Sequence, residues 1–104
     1  MRRVLTTAIL LAACCSSVAQ ASMRDLAPAD EYFGRMKMSV LGIRNELEGL
    51  ERRVASGDRN VPAMSGKLAL VDDAIRDWRA KYPRDTWLRR FSRERAHVAA
   101  LLRP

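Results

Sequence analysis

The sequence predicts an all-α protein: an antiparallel helical hairpin and a third amphipathic helix forming a small three-helix bundle, after an N-terminal signal segment. Three observations carry this. Two stretches of equal length repeat apolar residues at alternating steps of three and four, the spacing that lines one face of a helix. Between them, Ser56, Gly57, Asp58 and Asn60 make a stop and a turn. Long alternating runs rich in Val, Ile and Thr are absent, and aromatic residues make up only 6% of the chain.

The N-terminus reads as an address. Met1-Arg2-Arg3 is a short positive region, Val4 to Cys15 carries no charge, and Ala19-Gln20-Ala21 supplies a small-x-small cleavage pattern. Residues 1–21 are therefore expected to be a signal peptide, giving a periplasmic or secreted product. The apolar run is shorter than the ~20 residues a membrane-spanning helix needs. An alternative lies in the same segment: Leu11-Ala12-Ala13-Cys14 resembles a bacterial lipobox. Residues 1–13 would then be a lipoprotein signal, with Cys14 lipidated and the protein anchored to a membrane. Both cysteines, Cys14 and Cys15, fall in this segment, so a product beginning at Ser22 has no disulfide and rests on packing alone.

Residues 22–29 read as a linker and 30–104 as the helical domain. Asp30 is the expected N-cap of the first helix, whose stripe is Phe33, Met36, Val40, Ile43, Leu47, Leu50 and Val54. The second stripe is Val61, Met64, Leu68, Val71, Ile75, Trp78 and Tyr82, with Pro62 in its first turn and Pro83 just past its end. Asp85 is the expected cap of a third helix from about Thr86 to Leu102. Trp87, Leu88, Phe91, Val98, Leu101 and Leu102 share one side of it, Arg89, Arg90, Arg93 and His97 gather opposite, and Glu94 and Arg95 stand at the margins. Gly42 and Gly49 lie off the first stripe, where each costs about 1 kcal/mol relative to alanine. Either another backbone approaches there, from the third helix or a partner, or the glycines are simply tolerated.

Charge is unevenly spread. Without Arg2 and Arg3 the chain has 17 basic and 12 acidic side chains, a net charge of +5. From Ser22 to Pro83 there are 11 basic and 10 acidic residues, whereas from Arg84 onward there are 6 and 2. An acidic partner is therefore sought at the C-terminal segment.

No enzyme site is predicted. His97 is the only histidine, so there is no histidine pair and no H-E-x-x-H. A cysteine-free product excludes thiol catalysis and cysteine-ligated zinc. The glycines form neither G-x-G-x-x-G nor P-loop spacing. Asp72 with Asp73, and Glu46 with Glu48, sit among arginines at helical pairing distance, as in Glu48 with Arg52, Asp72 with Arg76 and Asp77 with Lys81. Ion-paired helix faces explain them, so neither a cofactor nor a metal ligand is expected. A weaker alternative is a haem or metal carrier using Met36 and His97. Against it, Met36 fits a core stripe, His97 falls on a polar face, and no C-x-x-C-H site exists.

Asp30-Glu31-Tyr32-Phe33-Gly34-Arg35-Met36-Lys37-Met38-Ser39, Leu41-Gly42-Ile43-Arg44-Asn45 and Lys81-Tyr82-Pro83-Arg84-Asp85 resemble small exported bacterial proteins of uncharacterised function. The resemblance implies export and helices and brings no catalytic residues. The sequence thus points to a non-enzymatic interaction protein of the envelope, working through a helical surface on an envelope protein of unknown identity. The alternative is an anion- or membrane-surface binder that uses Arg89, Arg90, Arg93 and His97 on anionic lipid or polysaccharide. Nucleic acid is disfavoured, because an exported protein seldom meets it. Oligomerisation is left open.

Overall fold

A computed structural model describes residues 25–103; the expected signal segment and Cys14 lie outside the described residues. The protein is an all-α three-helix bundle of α1 (Val40–Ala55), α2 (Val61–Lys81) and α3 (Trp87–Leu101), each helix packing on both others. Among the described residues no helix is long and apolar enough to cross a membrane.

The apolar periodicity becomes the core. Ile43, Leu47 and Leu50 of α1 meet Met64, Leu68, Val71, Ile75 and Trp78 of α2, and Leu88, Phe91, Val98 and Leu102 close the third side. Ala74, outside the second stripe, is also fully buried. Of the side chains expected inside, Val61, Trp87 and Leu101 are exposed instead, because they lie at helix ends where the bundle no longer covers them.

Local chemistry sets the helix ends. Asn60 caps α2 by accepting from the Ala63 N–H at 3.3 Å, with Pro62 in the first turn. The turn before it is clamped at Asp58, which accepts from Arg53 Nε and from the Asn60 N–H, both at 2.8 Å. At the other end α2 stops at Lys81, directly before Tyr82-Pro83.

The first helix begins later than the sequence predicts. Ser39, not Asp30, is its N-cap, accepting from the Gly42 N–H at 3.0 Å. Residues 25–39 form a non-helical strap across the bundle. Within it the backbones of Phe33 and Met38 exchange two hydrogen bonds, of 2.8 and 2.9 Å, closing a tight reversal in which Gly34 and Lys37 have φ of +73° and +50°. Positive φ is incompatible with a right-handed helix, so the three–four spacing of Phe33 and Met36 does not produce one. Phe33 still reaches the core, from the turn, whereas Met36 sits near its tip and is 59% exposed.

Two expected ion pairs are also replaced. Glu48 pairs with Arg44 rather than Arg52. Asp72 reaches across to α3, where Arg95 meets it at 2.6 and 3.1 Å, rather than pairing with Arg76 on its own helix. Asp77 does meet Lys81, at 3.4 Å. Beside α3 the Asp72–Arg95 fork fastens two helices, which an intrahelical pair could not do.

Among the described residues no helix backbone approaches Gly42 or Gly49: a methyl at Gly42 would meet Ser39 Oγ and Met38 Cβ, and at Gly49 the end of the Arg52 side chain. A methyl at Gly66, on α2, would meet nothing within 4 Å among the described residues. The double variant Gly49→Ala/Gly66→Ala is therefore expected to gain about 1–2 kcal/mol. In a domain of this size that raises the melting temperature by roughly 4–16 °C. A lower melting temperature would mean that one of these glycines is held by something outside the bundle.

Candidate functional site

The surface around the start of α3 is built by the strap and by one buried carboxylate. Asp85 is 5% exposed and accepts three N–H groups. Its Oδ2 takes the Trp78 indole N–H at 3.0 Å and the Ala27 backbone N–H at 2.9 Å. Its Oδ1 takes the Trp87 backbone N–H at 3.0 Å, which fulfils its expected capping role although Thr86 occupies the formal cap position. One side chain thereby ties the strap, α2 and α3 together. Ala27, within the stretch read as a linker, is thus fastened to the bundle. Among the described residues no buried side-chain polar atom lacks a partner.

The strap is held at a second place by carboxylates of α2. The Gly34 N–H donates to Asp77 at 2.9 Å, and the Arg35 N–H donates to Asp73 at 2.8 Å. Phe33 then stacks on Trp78 with ring centroids 5.9 Å apart, Trp78 meets Phe91 at 5.7 Å, and Phe91 meets Trp87 at 6.3 Å. This aromatic file runs from the strap through the core to the surface at Trp87.

Around Trp87 lies an apolar groove of about 340 Å³ between the strap, α1 and α3. Leu26, Leu41 and Trp87 line it and remain 43%, 55% and 46% exposed. Arg44 and Arg90 also line it, one from α1 and one from α3. Each is paired with a glutamate one turn on, Glu48 and Glu94, at 3.5 Å. The Arg90 guanidinium also stands over the Trp87 ring, 5.4 Å from its centroid.

The basic residues singled out by sequence do not all line one groove. Arg89 and Arg93 line a second groove, of about 600 Å³, on the other flank of α3, with Arg79 and Ser92. Arg90 belongs to the apolar groove instead, and His97 is exposed and lines neither. Sequence reasoning missed Arg79, Leu26 and Leu41. They sit on other elements, and helical spacing within α3 carries no signal for side chains brought beside it by tertiary packing. Among the described residues no group of three or more His, Cys, Asp or Glu side chains could hold a metal ion.

The Gly34 N–H holds Asp77 below its ordinary value of 3.8, with the Lys81 ammonium helping against a smaller desolvation effect. Backbone and Arg53 hydrogen bonds do the same for Asp58. Tyr82 donates to Glu31, and that bond raises its hydroxyl above the ordinary value of 10.0. Lowered carboxylates stabilise the fold above pH ~4, and this contribution disappears as pH falls through their folded values. The raised Tyr82 contributes below pH ~10 and loses its effect as pH rises beyond it. Melting temperature should therefore decline on the acid side of pH 4, with a shallower decline in Asp77→Asn. An unchanged acid limb in that variant would show that the Gly34 contact does not couple to folding.

Comparison with known protein families, characterised proteins and solved structures finds no match.

Proposed function

We propose that this chain is a non-catalytic interaction protein of the bacterial envelope that binds a partner protein in the apolar groove beside Trp87. Export is read from residues 1–21. The observation that carries the docking reading is the exposure of Leu26, Leu41 and Trp87 in one groove. Large apolar side chains gathered at a recess mark interaction sites more often than the same residues scattered singly. The occupant we assign is a protein segment with bulky apolar and acidic side chains. Apolar groups would cover Leu41 and Trp87, and carboxylates would meet Arg44 and Arg90, whose carboxylate partners are solvent-accessible glutamates one turn on, Arg90 also standing over the Trp87 ring.

The test is co-purification from the host envelope in rising salt. The partner should stay bound at about 1 M salt, where the Debye length is only ~3 Å, because the core of the contact is apolar. Leu41→Glu/Trp87→Glu should abolish retention, and Arg44→Glu/Arg90→Glu should weaken it at low salt. Equal retention by the wild type and the Leu41→Glu/Trp87→Glu variant would overturn the reading.

A further inference from the structure

On the opposite flank of α3 the second groove is lined by three arginines, Arg79 from α2 and Arg89 and Arg93 from α3. Among the described residues none of the three has a carboxylate partner within 4.0 Å, whereas eight other cationic side chains do. Arg84 also borders the groove but is engaged with Asp25 at 3.0 Å. The acidic residue in the lining, Asp85, has its oxygens committed to Trp78, Ala27 and Trp87. Ser92 stands between the helices, its Oγ accepting from Arg79 Nη2 at 3.0 Å, which fixes one guanidinium against α3.

With Arg84 engaged by Asp25 and Asp85 the one carboxylate in the lining, the three arginines leave the groove net positive, and an anion there lowers their mutual repulsion. Guanidinium groups present planar donor forks that match oxyanions, and three of them with a serine hydroxyl offer more donors than the two oxygens of a carboxylate accept efficiently. A phosphate oxyanion, with three or four oxygens, fits this set better.

We propose that the Arg79–Arg89–Arg93 groove is a binding site for a phosphate group, with Ser92 positioning Arg79. The same chemistry is offered by free phosphate and by an anionic phospholipid headgroup, and the experiment separates them. Melting temperature is measured in sodium phosphate against sodium chloride at equal ionic strength. Retention on phosphatidylglycerol vesicles is compared with retention on phosphatidylcholine vesicles. A higher melting temperature in phosphate without vesicle retention assigns free phosphate; selective vesicle retention assigns the headgroup. Either effect should fall at least tenfold in apparent affinity in R79A/R89A/R93A. It should survive in R52A/R59A/R103A, which removes the same charge outside the groove. Should the groove triple variant lack a folded baseline, the single exposed change R93Q serves, with at least a threefold loss expected. Neither effect in the wild type, or equal losses in the groove and control variants, would overturn the proposal.

Discussion

Replacing Gly34 by alanine is expected to destabilise the protein by about 2–5 kcal/mol, combining backbone strain with overpacking. Gly34 has φ of +73°, a conformation that side-chain-bearing residues adopt at a cost. A methyl there would also lie 2.9 Å from both the Cα and the N of Ala74, and 3.1 Å from Asp73 Oδ2. These neighbours are α2 backbone and a carboxylate that already accepts from Arg35, so none can yield cheaply. Relief requires the strap to lift, which breaks the Gly34 N–H bond to Asp77 and pulls Phe33 off Trp78. Urea denaturation should show the loss while far-UV dichroism keeps its helical signal, because α1, α2 and α3 do not include the strap. A loss below about 0.5 kcal/mol would show that the strap is not packed on α2 as described.

Asp85→Ala is expected to cost about 3–5 kcal/mol, because it strips the acceptor from the buried indole N–H of Trp78 and from two backbone N–H groups. Asp85→Asn should cost less, since its single amide oxygen can keep some of these donors. In a Trp87→Phe background the fluorescence of Trp78 should shift to the red in Asp85→Ala as water reaches the indole. Unchanged stability in Asp85→Ala would remove the buried carboxylate as the junction of strap, α2 and α3.

The expected loss at Asp85 also explains what the sequence could and could not foretell. Three–four spacing from Val40 to Tyr82 gave the hairpin, because bundle helices must bury one continuous stripe. The same spacing misled from Phe33 to Met36, since two left-handed residues outweigh a periodicity of two side chains. Asp85 was legible as a cap from its place after Pro83. Its hold on Trp78 and Ala27 was not, because contacts at sequence separations of 7 and 58 leave no local pattern. The basic face of the third helix was readable as composition. Its division into Arg90 beside Trp87 and Arg89 with Arg93 beside Arg79 follows from how α3 lies between two neighbours.

The proposed docking groove is best tested in the cell, with a photo-crosslinking residue at Leu41 and, as a control, at the exposed Ala69 of α2. The expected result is one envelope-protein adduct from Leu41, attached through a segment bearing apolar and acidic side chains, and no such adduct from Ala69. No adduct from Leu41, or the same adduct from both positions, would contradict docking at the groove beside Trp87.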